Sequence, residues 1–158
     1  MKLNDIIPEG AIVARLKARE RDEVVGELVD ALIASKVVPA KARKELIDSV
    51  LERERKGSTG FGKGVAVPHV KHAGVGKMSA AIGVSEDGVD FNALDKQPVY
   101  SVFLLLSPAG KPEEHLQAME VIFKNLSQDR FRRFLRQATT VEDVRVLLKD
   151  ADGQKLAG

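Results

Sequence analysis

Three histidines, two arginines and a loop of glycines and hydroxyls are the residues that could do chemistry here. The apolar run Gly64-Val65-Ala66-Val67 ends at Pro68, and His69 follows at once. Just before it lies Gly57-Ser58-Thr59-Gly60-Phe61-Gly62-Lys63, a stretch whose backbone N–H groups could wrap an anion. A neutral imidazole is a nucleophile near pH 7 and can attack or carry a phosphoryl group. His69 beside such a loop therefore points to phosphate handled on a ring nitrogen. Ser58, Thr59 and Gly60 are the candidate phosphate-binding residues.

The other candidates flank this centre. His115 falls in Pro112-Glu113-Glu114-His115-Leu116, the first turn of an expected helix. It is either a surface histidine without a role or a second imidazole brought to the end of the sheet that carries His69. Arg53 and Arg55 close the helix before the glycine loop. They can serve the helix C-terminal dipole or clamp a phosphate with a guanidinium fork. His72 is expected to be incidental. Lys63 and Lys71 add positive charge near the site, which either favours an anionic partner or solubilises the loop.

Two other chemistries fit less well. Gly57-x4-Gly62-Lys63 matches most of a P-loop, but Gly64 stands where Ser or Thr must bind magnesium. That loop also runs from helix into strand, the reverse of a P-loop. His69 and His72, with distant His115, offer three imidazoles to zinc. The intervening Val70 and Lys71 supply no ligand, and no metal or other cofactor is expected.

Elements that place these residues can be read from periodicity. Ala11–Ala14 is a short strand candidate. Val24, Val25, Leu28, Val29, Leu32 and Ile33 recur at helical spacing over 22–35. A second helix carries Leu46, Ile47, Val50 and Leu51 and stops at Gly57. Residues 64–68, 78–84 and 99–106 read as strands, with Asp87-Gly88 as a turn; the last strand is apolar enough to be buried on both faces. Pro112 opens a helix whose expected buried stripe is Leu116, Met119, Ile122, Phe123 and Leu126, leaving His115 at its edge. A short helix around Phe131, Phe134 and Leu135 follows. Thr140 and Asp143 form a capping-box pattern before a last helix. The fold class is α/β: a single domain, residues 1–150, with a mixed central sheet flanked by helices and a frayed tail over 151–158.

Composition bounds the function. The 158 residues suit one domain with a core. A net charge of +2 and 4% aromatic residues without tryptophan argue against a nucleic-acid partner. With no cysteine, thiolate metal sites and cysteine nucleophiles are excluded. The N-terminal residues have no long apolar run and Val102–Leu106 is too short to span a bilayer, so no membrane insertion is expected and the expected compartment is the cytoplasm.

Arg53-Glu54 followed by the stretch from Gly57 to His69 resembles the signature of enzyme IIA of the bacterial phosphotransferase system. The branch is the fructose/mannitol type, which includes nitrogen-regulatory IIA proteins. Val89–Val99 and Leu104-Leu105-Leu106-Ser107-Pro108 with His115-Leu116 extend the likeness over roughly residues 3–150. The resemblance implies a phosphotransferase component with His69 as phosphoryl acceptor, through Nε2. It implies that His115 and Arg53 stabilise the phosphoryl group. The implied donor is a small histidine-containing phosphocarrier protein. The implied recipient is a IIB protein in sugar transport, or a regulated target that reads the phosphorylation state. Regulation is the favoured reading. A binding module of the same fold without phosphotransfer is the third.

Overall fold

A computed structural model describes residues 1–154. The sheet is organised by one strand, β6 (Val99–Pro108). Nine of its ten residues are buried, because helices cover both faces of the sheet. Val102, Leu104 and Leu106 point into one core with α2 (Arg21–Ala34) and α3 (Arg43–Lys56). Phe103 and Leu105 point into the other, with α1 (Leu3–Ile6), α4 (Pro112–Leu126), α5 (Asp129–Gln137) and α6 (Val141–Asp152). A strand apolar at both odd and even positions is what two covered faces demand.

The sheet is mixed, as expected. Its order is β1 (Ile12–Val13), β5 (Ser79–Val89), β6, β3 (Val65–Ala66), β2 (Gly60–Gly62). β4 (His69–His72) also pairs with β6, further along the same edge as β3. Both β3 and β4 run parallel to β6, and β5 runs antiparallel to it.

Several boundaries differ from expectation. The run over 64–68 is not one strand, because Pro68 has no N–H to give a ladder. The strand breaks there and resumes as β4, which the polar sequence His-Val-Lys-His did not advertise. Asp87-Gly88 is not a turn between strands. It lies within β5, where the register to β6 shifts between Val84 and Val89 and Gly88 takes φ +89°. The pair marks a bulge, the other use of a strand glycine. The Thr140–Asp143 capping box is present, with the Asp143 N–H donating to Thr140 Oγ1 at 3.1 Å. Of the expected tail, Ala151 and Asp152 complete α6, and residues 155–158 lie outside the described residues. The Asp152 carboxylate accepts from the Leu3 and Asn4 N–H groups, tying α6 to the start of α1.

Leu105 is fully buried on the α4 side and is the residue paired with His69. Leu105→Ala should cost about 2–5 kcal/mol in urea denaturation. A cost under about 1 kcal/mol would mean that the core can collapse around the site.

Candidate active site

The histidine pair forms because β6 holds both members. On the strand edge, His69 is in register with Leu105 and Lys71 with Ser107. On the α4 side, the Ser107 hydroxyl lies 2.6 Å from His115 Nδ1. The two imidazole centroids are therefore 5.5 Å apart, with the rings inclined at 48°.

The proton on His69 can be placed. Its Nδ1 is 2.8 Å from the Val67 carbonyl oxygen, which can only accept. Nδ1 therefore carries the hydrogen, and Nε2 keeps a lone pair. That carbonyl is free because Val67 and Pro68 lie in the gap between β3 and β4. Proline thus both breaks the ladder and frees the oxygen that selects the tautomer.

His115 is buried, and Leu116 is 55% exposed. The buried face of α4 is His115, Ala118, Ile122 and Leu126, not the expected face starting at Leu116. The polar ring is accepted inside because Ser107 hydrogen-bonds it. Ser107 Oγ is also 2.9 Å from Met78 Sδ. Two proton arrangements fit. Either Nδ1–H donates to Ser107, which donates to the thioether, or Ser107 donates to Nδ1 and leaves hydrogen on Nε2. The second presents an N–H donor to an incoming anion.

Burial is the main cause holding His69 below the usual imidazole pKa, and the Arg53 and Lys71 charges act the same way. The bond to Val67 and the Glu54 carboxylate oppose them. For His115, burial followed by the His69 and Lys71 charges lowers the pKa to about 4. Both rings are neutral at pH 7, so His69 is available as a nucleophile.

Arg53 donates from Nη1 to the Gly57 carbonyl at 2.9 Å. It thus satisfies the end of α3, as a C-terminal cation should, while its charge reaches His69. Arg55 is exposed. Glu54 is the residue that sequence reasoning passed over. It is 3% exposed and accepts from the Thr59 N–H at 2.7 Å and the Thr59 hydroxyl at 2.6 Å. The available signal was a carboxylate five residues before a threonine in a glycine loop.

The glycine loop is placed beside His69, but its polar groups are already engaged. The Ser58 hydroxyl donates to the Phe91 carbonyl at 2.6 Å and accepts from the Gly60 N–H at 3.0 Å. Thr59 is bound twice to Glu54, so Ser58, Thr59 and Gly60 build the loop in place of offering a preformed anion nest. A Cβ on Gly60 would sit 3.0 Å from that of Ala93 and 3.2 Å from its Cα, so a larger residue there would have to push the Ala93 backbone away. His72 faces away from the pair, with Nδ1 accepting the Gly74 N–H at 2.8 Å and Nε2 3.8 Å from Glu45. It closes the turn after β4 and takes no part in the pair. Lys71 lies by the pair, whereas Lys63 lies at the other end of the sheet edge.

A neutral imidazole with a free ring nitrogen, beside a second imidazole and an arginine, is an arrangement that can act as a nucleophile on an α/β domain. Comparison with known proteins narrows this class. Residues 5–151 match the family described as phosphoenolpyruvate-dependent sugar phosphotransferase system, EIIA 2, and the chain belongs to that family. It is 32% identical over 153 residues to the fructose-specific EIIABC component of Bacillus subtilis, covering 96% of this chain but 24% of that protein. The chain therefore spans about a quarter of that relative's length. It is 29% identical to the nitrogen regulatory protein of Pseudomonas aeruginosa, with 95% of this chain and 96% of that protein covered. The structure of nitrogen regulatory protein IIA-Ntr from Neisseria meningitidis superposes with a TM-score of 0.82 at 30% identity, covering 92% of this chain and 98% of that one. Among the described residues, no helix is long and apolar enough to cross a membrane.

Two measurements check this site. Unfolded histidines bind protons near pH 6.5, whereas His115 in the fold resists protonation until about pH 4. Its contribution to stability is complete above about pH 6.5 and is lost progressively towards pH 4. His115→Leu should flatten urea stability across the upper part of that window, and an unchanged slope would contradict the assignment. Glu54→Ala leaves two buried donors on Thr59 unpaired and should cost about 1–3 kcal/mol. Wild-type stability in that variant would show that water replaces the carboxylate.

Proposed function

We propose that the protein is a phosphocarrier that accepts a phosphoryl group on His69 Nε2. The observation that carries this is the His69 Nδ1–H bond to Val67, which leaves Nε2 as the free lone pair. The donor that the family suggests is a phosphohistidine on a small carrier protein. The Nε2 lone pair forms the new N–P bond while the donor N–P bond breaks in line, its electron pair returning to the donor imidazole. The proton stays on His69 Nδ1, still donated to the Val67 carbonyl, which stabilises the positive ring. Such transfer depends mainly on positioning and charge stabilisation.

His115, with Nδ1 accepting from Ser107, donates Nε2–H to a phosphoryl oxygen. Arg53 supplies the positive charge. Glu54, Ser58, Thr59 and Gly60 hold the loop that places Arg53 against His69. No metal or cofactor takes part in this reading.

The favoured role is regulatory: target proteins bind according to the phosphorylation state of His69. Support comes from the end-to-end match with nitrogen regulatory proteins and the TM-score of 0.82 with one of them. Leu116, exposed beside His115, gives a partner an apolar contact next to the reacting atom. A dianion added there would weaken apolar docking. The second reading is transfer to a separate IIB protein in sugar uptake. It is favoured by the 32% identity with a fructose-specific component.

The test uses phosphoenolpyruvate, enzyme I and the histidine carrier protein, with intact mass as readout. Wild type should gain one acid-labile phosphate and His69→Ala none. His115→Ala should still be phosphorylated but pass the group on at least about tenfold more slowly, the scale of losing one charge-stabilising donor. Labelling of His69→Ala at the wild-type rate would defeat the proposal.

A further inference from the structure

A second concentration of positive charge lies away from the histidines. The nine residues of α5 include Arg130, Arg132, Arg133 and Arg136 against the single acid Asp129. Lys63, Gly64, Tyr100, Arg132, Arg133 and Arg136, together with Asp129, line a cleft of about 590 Å³. That volume suits a small molecule.

The cations are held in place by the fold. Lys63 and Gly64 form the two-residue turn between β2 and β3, both with positive φ, 61° and 78°. Asn, Asp or Gly is usual at the first of these positions. Here a lysine occupies it, fixed by its N–H bond to Asp95 Oδ2 at 3.1 Å. The Arg136 Cζ lies over the Tyr100 ring, 3.6 Å from its centroid. Stacking orients the guanidinium and leaves its edge N–H groups free for a planar bidentate partner. Arg132 is partly satisfied by the Leu126 carbonyl and Arg133 by Asp129. Among the described residues, neither the Lys63 ammonium nor the Arg136 guanidinium has a carboxylate within 4 Å, although the Lys63 backbone N–H does.

The cleft is separate from the histidine pair. Tyr100 and Ser101 donate backbone N–H groups to the Gly64 carbonyl, so it sits at the start of β6. His69 is in register with Leu105, four residues beyond Ser101 and so roughly 13 Å away at about 3.3 Å per residue.

We propose that this cleft is a second, anion-binding site that takes a small molecule carrying a diphosphate group. Guanidinium forks match phosphate oxygens in geometry and charge. Lys63, Arg133 and Arg136 lining one cleft are more cations than a single phosphate needs, and they engage two linked phosphates better than one. The concave shape fits a compact ligand better than a flat lipid surface or a duplex, and Asp129, paired with Arg132 and Arg133, leaves Lys63 and Arg136 as the cations without a carboxylate partner.

Titration calorimetry of the full chain with sodium pyrophosphate at low ionic strength tests this, with amide NMR to place the ligand. We expect saturable binding that shifts the amides of 63–65 and α5 and leaves those of 67–71 in place. Lys63→Ala and Arg136→Ala should each weaken binding about tenfold or more, as expected for a lost charge-assisted pair. Arg136→Lys, which keeps charge but loses the fork, and Tyr100→Leu, which keeps charge but removes the platform, should each weaken it severalfold. Arg19→Ala, on the far side of the sheet, should change nothing. Inorganic phosphate should bind at least about tenfold more weakly than pyrophosphate if two linked groups are recognised. ADP shifting the same amides at lower concentration would mark a nucleotide as the source, and pyrophosphate alone a non-nucleotide diphosphate. Both would support the site. No saturation at millimolar pyrophosphate, affinity unchanged in the Lys63 and Arg136 variants, or shifts confined to 67–71 would overturn it. So would Arg136-dependent sedimentation with phosphatidylserine vesicles in the absence of pyrophosphate binding.

Discussion

The parallel pairing of His69–His72 with Leu105–Pro108 is the constraint on which the candidate site rests. β6 is buried on both faces and joined to strands on both edges, so it is the stiffest part of the sheet. One imidazole hangs from the strand beside it. The other is held from across the α4 interface by Ser107 of β6 itself. Neither ring can shift without disturbing a strand at the centre of two cores. Close packing is what makes a 5.5 Å ring separation reproducible.

Pro68 shows how local chemistry is coupled to that frame. A ladder continued through this position would have used the Val67 carbonyl as an ordinary strand acceptor. The break leaves that oxygen to His69 Nδ1. The Leu105 N–H donates to the Pro68 carbonyl at 3.0 Å, so the strand is re-anchored at once. Tautomer choice is therefore a consequence of backbone topology and needs no dedicated side chain.

Much of this was legible in the sequence, and the failures have physical causes. The long helices and the mixed α/β architecture followed from apolar periodicity over many residues. His69 and the loop stood out because glycine and proline punctuate that region. β4 was missed because its four residues are polar or half-exposed and take their strand form from β6, not from their own propensity. The buried face of α4 was displaced because Leu116 is more apolar than His115, while a hydrogen bond from Ser107 reverses the preference for burial. Glu54 was overlooked for a related reason: its importance lies in a contact with Thr59, and contacts have no signature in composition. Ser58 and Thr59 looked like free phosphate ligands because a sequence lists hydroxyls without showing which are already bonded.

Under the proposed phosphocarrier function, the same electrostatics would let this pair carry charge in passing without storing it. Each imidazole is held below its ordinary pKa chiefly by burial; the Arg53 and Lys71 charges add to this for His69, and the His69 and Lys71 charges for His115. Positive charge comes instead from Arg53 and Lys71, at the rim. Glu54, buried beneath the loop, opposes their effect on His69. A permanent cation in the pair would hold an arriving anion tightly and remove the lone pair needed to attack it. Neutral rings with peripheral cations leave attack possible and stabilise the product only once negative charge has arrived.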